Sequence, residues 1–167
     1  MRSDDVRLDW QRSDRLGISE AIWGQHKTVD QIVAILEAFA ERAQPALVTR
    51  VDEAKAVAVV SRCSKEQVHF DARANCLLSG DPPPLRSALG KVTVLSGGTS
   101  DLPVAAEAQL ALQWHGIDAE LVLDVGVAGL HRLLDQLPKL KKSTVLIACA
   151  GMEGALPTVL AGLLPQP

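Results

Sequence analysis

Residues 91–104 read Lys-Val-Thr-Val-Leu-Ser-Gly-Gly-Thr-Ser-Asp-Leu-Pro-Val, and this stretch decides the fold. Lys91–Leu95 is a short, β-branched run of the kind that suits a pleated sheet surface. It ends in a glycine-containing loop, Ser96-Gly97-Gly98-Thr99-Ser100-Asp101. Pro103 follows, and proline fits the first turn of a helix because its missing N–H would be unpaired there anyway. Val104, Ala108, Ala111 and Leu112 then recur on one apolar face, and the helix is expected to end at His115-Gly116, where Gly116 suits a left-handed cap.

The same strand–loop–helix pattern recurs downstream. Ala119–Leu123 reads as a second strand and Val127–Leu137 as a second helix closed by Pro138. Thr144–Cys149 is a third, wholly apolar strand, followed by a helix over Gly154–Leu164. Such alternation with short loops predicts parallel strands joined by right-handed crossovers. The expected class is α/β, with residues 86–167 forming a partial, flavodoxin-like sheet of three βα units.

Upstream, residues 1–85 are expected to form a small mixed domain, separated from the sheet by the stiff run Asp81-Pro82-Pro83-Pro84. Thr28 and Gln31 have capping-box spacing. Val29, Ile32, Val33, Leu36, Phe39, Ala40 and Ala43 follow at helical spacing, which predicts a helix over 29–43. Ala46–Thr49 and Val68–Phe70 read as strands, and Asp52 caps an alanine-rich helix over 53–61. The first twenty residues, dense in charge, suggest a short helix or an extended arm.

The composition narrows the functional class. A net charge of −3 over 167 residues argues against a nucleic-acid footprint, though not against a local site for one phosphate. With two Phe, three Trp and no Tyr, the cores must be built from aliphatic side chains. Cys63, Cys76 and Cys149 are odd in number and form no CxxC pair, which fits a reducing compartment. The N-terminal residues are charged and lack an apolar signal core, so a cytoplasmic location is expected.

In a sheet of this kind ligands bind beyond the carboxyl ends of the strands. Three loops meet there: 96–101, 124–132 and 150–154. For the first, two readings stand. Ser, Thr and Asp are ordinary helix caps; alternatively, Ser96, Gly97, Gly98, Thr99, Ser100 and Asp101 cradle an anion at a helix N-terminus. The string is neither a Walker A loop nor a GxGxxG fingerprint. The second loop carries Asp124 and the pair His131-Arg132, suited to proton transfer and to bidentate binding of a phosphate or carboxylate. Their alternative is a solvated helix face. The third, Ala150-Gly151-Met152-Glu153-Gly154, places a carboxylate between glycines at a helix start, where it also complements the helix dipole. Cys149 reads as a buried, inert thiol, and His69 as structural.

These loops, together with Leu8-Asp9, Arg12, Arg15-Leu16-Gly17, the segment Trp23-Gly24-Gln25-His26-Lys27-Thr28, Thr49-Arg50 and Asp71-Ala72-Arg73-Ala74, resemble the motifs of the LarB family. The resemblance covers essentially the whole chain. It implies a PurE-like C-terminal domain, similar to class I phosphoribosylaminoimidazole carboxylases, with Ser100-Asp101 and His131-Arg132 at the matching places. It further implies carboxylation of the pyridinium ring of nicotinic acid adenine dinucleotide by carbon dioxide or bicarbonate. Hydrolysis of the phosphoanhydride would follow, releasing AMP and pyridinium-3,5-biscarboxylic acid mononucleotide for nickel-pincer cofactor biosynthesis.

On this basis His131, Glu153 and Asp101 are the expected catalytic residues. Ser96 to Asp101, Asp124, Arg132, Gly151, Met152 and Gly154 are the expected substrate and phosphate contacts. Mg²⁺ is the expected cation, without an assigned ligand set, and a homo-oligomer, octameric by resemblance, is the expected assembly. Family members use a cysteine thiolate added to the ring, and it lies beyond the stretch matching Gly162-Leu163-Leu164. The chain stops at Pro167, so a C-terminally shortened protein is expected, and none of its cysteines is assigned as nucleophile. Two other readings remain: a non-catalytic nucleotide-binding or assembly module, and a purine-pathway aminoimidazole ribonucleotide carboxylase.

Overall fold

The computed structural model describes residues 7–63 and 68–167. Residues 1–6 of the charged N-terminal stretch lie outside them. The chain forms two compact units, Met1–Pro82 and Pro83–Pro167.

The first unit opens with a short helix α1 (Arg12–Leu16), followed by strand β1 (Ala21–Trp23) and helix α2 (Val29–Ala40). Strand β2 (Ala46–Thr49), helix α3 (Glu53–Val60) and the hairpin β3 (Val68–Asp71) and β4 (Cys76–Ser79) complete it. The sheet order is β1-β2-β4-β3, with β1 parallel to β2 and the other pairs antiparallel. The capping box forms as expected: Gln31 N–H donates to Thr28 Oγ1 and Thr28 N–H donates to Gln31 Oε1. The helix ends at Ala40, three residues before the expected end, and Ala43 takes a left-handed backbone with φ 50°. Ile32, Ile35, Leu36 and Phe39 of α2 pack with Val48, Val59 and Leu77 in one aliphatic core. Strands β1 and β4 were not expected. Three residues cannot show an alternation, and Cys-Leu-Leu-Ser shows none.

The second unit is a parallel sheet of three βα units. Strand β5 (Lys91–Ser96) leads through a 3₁₀ turn at Thr99–Asp101 into helix α4 (Leu102–Trp114). Strand β6 (Asp118–Val122), helix α5 (Leu130–Leu140), strand β7 (Val145–Cys149) and helix α6 (Ala155–Leu163) follow. The order is β6-β5-β7, so the first strand is the central one. Leu95, Val122, Leu146 and Ala148 face α5 and α6, whose Leu133, Leu140, Leu156 and Leu160 close the core on that side. Helix α4 takes no part in that cluster and lies against β5 and β6 on the other face.

Three expectations need correction. The second helix does not end before Pro138 but runs through it to Leu140. Pro138 and Leu134, whose carbonyl loses its helical partner, are both solvent-exposed, so water can take the vacant acceptor while Leu140 is fully buried. The buried face of α4 is Ala105, Ala106 and Trp114, not the row beginning at Val104, which is 55% exposed. That helix carries apolar residues on more than one side, so polarity alone does not mark its buried face. Finally, every residue of the apolar strand β7 is only half-buried, because β7 is an edge of the sheet. Among the described residues no helix is long and apolar enough to cross a membrane.

At the amino end of the sheet a polar network ties β5, β6 and α5 together. Thr93, fully buried, donates to Glu120 Oε1 at 2.9 Å and meets Ser143 Oγ at 2.6 Å. Lys91 and Lys139 pair with Glu120 Oε2 at 2.8 and 3.1 Å. Burial alone would raise the Glu120 pKa, but the hydrogen bonds from Lys91, Thr93 and Lys139 outweigh it and hold the carboxyl below its ordinary value. A lowered folded-state value means that the ion contributes stability at neutral pH and loses it as pH falls through that value. Hydrogen exchange at the β5 amides should therefore show global opening becoming easier between about pH 6 and about pH 3, and less steeply in Glu120→Gln. Equal pH dependence in the two proteins would contradict a linked proton at Glu120.

Candidate functional site

The carboxyl end of β5 is bonded to both neighbouring strands. Gly97 N–H donates to Cys149 O at 2.8 Å, and Val125 N–H donates to Ser96 O at 3.0 Å. The buried Ser96 hydroxyl accepts the Asp124 N–H at 3.1 Å. Helix α4 follows β5 on one face of the sheet while α6 follows β7 on the other. The strands thus diverge at β5/β7, the switch point where open α/β sheets bind ligands.

Asp101 spans that divide. Its Oδ2 accepts the Gly98 N–H at 2.9 Å and its Oδ1 accepts the Gly151 N–H at 3.0 Å, across 50 residues of sequence. One carboxylate therefore fixes two loops. On the β6 side, Asp124 adopts a left-handed backbone, φ 56°, and its carboxylate pairs with Arg132 from the first turn of α5. Two glycines make this possible. A Cβ on Gly126 would lie 2.4 Å from the Gly97 carbonyl oxygen, and one on Gly129 would lie 2.6 Å from Arg132 Nε. Together the loops enclose a cleft of about 370 Å³ with polar groups from Ser100, Asp101, Asp124, Arg132 and Glu153. Its apolar wall is Val127, Ala128, Ala150 and Leu156.

Cys149 ends β7 beneath this cleft. Burial pushes its thiol up, and the nearby Asp101 charge pushes it further. It is held as a thiol, the opposite of what a nucleophile or metal ligand requires.

Residues 2–79 match the LarB/PurE-like N-terminal domain, and residues 91–167 match the AIR carboxylase domain. The chain belongs to the LarB-like family. An uncharacterized protein of Methanocaldococcus jannaschii is 33% identical over 167 residues, covering 97% of this chain and 65% of that protein. The N5-carboxyaminoimidazole ribonucleotide mutase of the same organism is 35% identical over 79 residues, 46% of this chain and 48% of that enzyme. The LarB-like chain thus spans less than two thirds of the length of either curated relative.

Of the expected site residues, the LarB-like fold brings Gly97, Gly98, Ser100, Asp101, Asp124, Arg132, Gly151, Met152 and Glu153 to the cleft wall. Ser96 lies buried below it, where it positions the Asp124 turn. Thr99, His131 and Gly154 are exposed and do not line the cleft. His131 occupies the second position of α5, and the cleft-facing residue of that turn is Arg132. Met152 is 96% exposed at the rim. The loop amides at Gly98 and Gly151 are not open to an incoming anion as expected; the protein's own Asp101 carboxylate takes both. Sequence reasoning missed the spacing roles of Gly126 and Gly129. Their only signal was the unusual density of glycine between Asp124 and Arg132.

Replacing Asp101 by Ala should free both amides, so Gly98 and Gly151 exchange at least about tenfold faster, given ~1.5–3 kcal/mol for a hydrogen bond to a charged group. Unchanged exchange at these two residues would show that the carboxylate does not hold the loops.

Proposed function

We propose that this cleft binds the pyridinium mononucleotide half of nicotinic acid adenine dinucleotide. The protein then adds a second carboxylate to the ring and hydrolyses the phosphoanhydride, in nickel-pincer cofactor biosynthesis. Family membership supports a carboxylase-type role. The observation that carries the finer reading is the placement of charge around the cleft. Arg132 offers a cationic fork at one side, while Asp101 and Glu153 offer carboxylates at the other. A pyridinium mononucleotide is complementary to both, with a cationic ring and an anionic phosphate.

The roles follow from position. Arg132, oriented by Asp124, takes the phosphate, with the Ser100 hydroxyl as a further donor. Asp101 lies against the cationic ring and is placed to accept the ring proton that carboxylation displaces. The aliphatic wall of Val127, Ala128, Ala150 and Leu156 gives carbon dioxide a water-poor surface. In sum, a ring C–H becomes C–COO⁻ with loss of a proton, and one water splits the anhydride into two monophosphates. A thiolate adding to the ring would make it electron-rich enough for this step. Cys149 is not assigned that role, because its pKa is raised.

Mg²⁺ is held in such sites by one or two carboxylates plus substrate phosphates. The described residues contain no cluster of three or more His, Cys, Asp or Glu able to hold a metal ion alone. A substrate-completed site fits: Glu153 at the rim is the carboxylate available to it, and the ion would neutralise charge on the anhydride.

With the chain extended through the cysteine that the family resemblance places beyond Leu164, incubation with nicotinic acid adenine dinucleotide, bicarbonate and Mg²⁺ should give AMP and the dicarboxylated mononucleotide by mass spectrometry. Asp101→Ala and Arg132→Ala should each lower the yield at least about tenfold, the scale expected for loss of a charged contact or an acid–base group. Binding without turnover would favour a nucleotide-binding module instead. Carboxylation of aminoimidazole ribonucleotide in preference to the dinucleotide would favour the purine-pathway reading.

A further inference from the structure

The segment Trp23-Gly24-Gln25-His26-Lys27-Thr28 lines no part of the cleft described in the second unit, yet it is a tightly held turn of the first. Gly24 N–H donates to Thr49 O at 2.8 Å, and Lys27 N–H donates to Gly24 O at 3.1 Å. Lys55, reaching across from α3, donates to the carbonyls of Gly24 and Gln25 at 3.2 and 2.9 Å. A Cβ on Gly24 would lie 2.7 Å from Val51 Cγ2 and 3.0 Å from Thr49 O, so no other residue fits this position undistorted. The turn is thereby clamped to the sheet, and what it presents outward is held in place.

It presents an aromatic face and positive charge. Trp23 is 53% exposed, a large apolar surface to leave in water, and His26 meets it edge-on with ring centroids 5.0 Å apart. Beside them lies a cleft of about 530 Å³, with Trp23, His26, Lys27 and Arg7 in its wall and Ile22 and Ile35 in its floor. Its one carboxylate, Glu20, already accepts the Asp9 N–H at 3.0 Å. Among the described residues Lys27 enters no salt bridge. It directly precedes the N-cap of the 12-residue α2, where the helix dipole also favours an anion.

The geometry points to a ligand site lined by residues of the first unit: a pocket for a nucleoside monophosphate, its base stacked on Trp23 and its phosphate met by Lys27 and Arg7. The volume is in the range of small-molecule sites, and stacking on an exposed indole suits any purine. A single RNA strand would offer the same base and phosphate. The acidic balance of the chain, −3, favours the free nucleotide over a polyanion.

The test is calorimetric titration of the full chain with AMP, adenosine, ribose 5-phosphate and an oligoadenylate of six residues. Titrations are run in the Arg132→Ala background so that the cleft of the second unit lacks its phosphate-binding cation. AMP should bind, and more tightly than adenosine or ribose 5-phosphate. Trp23→Ala should weaken AMP at least about tenfold, with partial recovery in Trp23→Phe, as for a base on an aromatic platform. Lys27→Ala should weaken AMP but not adenosine. Because Trp23 and Lys27 lie on the surface, circular dichroism should be unchanged in these variants. No AMP binding in the Arg132→Ala background, equal binding by Trp23→Ala, or tighter binding of the oligoadenylate than of AMP would each overturn the assignment.

Discussion

The Ser96-Gly97 step is the point on which the second unit turns. β5 is the central strand, and its last residues bond sideways to both neighbours, through the Ser96 carbonyl and hydroxyl to the β6 turn and through Gly97 N–H to Cys149. A peptide pinned on both sides cannot move without opening both strand ends. The glycine loops therefore leave the sheet from a fixed frame. Gly126 can touch the Gly97 carbonyl only because it carries no side chain, since a Cβ there would lie 2.4 Å from that oxygen. Asp101 then closes the frame across β5 and β7 with two charge-assisted hydrogen bonds, stronger than neutral ones.

This frame changes how the site is read electrostatically. Free amides at a helix N-terminus are the usual basis for binding a phosphate. Here an internal carboxylate occupies the nearest amides, which makes the centre of the cleft acidic and leaves Arg132 as the cationic group of its wall. A ligand carrying charge of one sign only would meet repulsion at one end. A cationic ring joined to a phosphate meets none. The same Asp101 charge bears on Cys149 and, with burial, keeps it a thiol.

How much of this could be read from sequence varied with the physical cause. Alternation of β-branched runs and helices made the parallel sheet legible, and Thr28 with Gln31 and Asp52 with Lys55 N–H behave as their spacing indicated. The helix ending at Pro138 was misread because proline carries a local penalty, whereas the burial of Leu140 is a tertiary gain that no local pattern shows. The face of α4 was misread for a related reason. Apolar residues lie on more than one side of this helix, so polarity does not single out Ala105, Ala106 and Trp114, whose burial is set by the sheet they meet. At the site, the residue types at the β-strand ends were legible, but the pairing of Asp101 with Gly151 joins positions 50 residues apart and leaves no periodic trace. His131 illustrates the reverse: adjacent to Arg132 in sequence, it points from a different part of the helix surface and stands exposed.

The proposed function requires the pyridinium mononucleotide to sit between Asp101 and Arg132. The most direct measurement is a titration of the isotopically labelled chain with nicotinic acid mononucleotide, followed by the backbone amide resonances. Saturable shifts that include Gly98, Gly126, Arg132 and Gly151 are predicted. Shifts confined to other residues, or none at millimolar ligand, would contradict the assignment of this cleft.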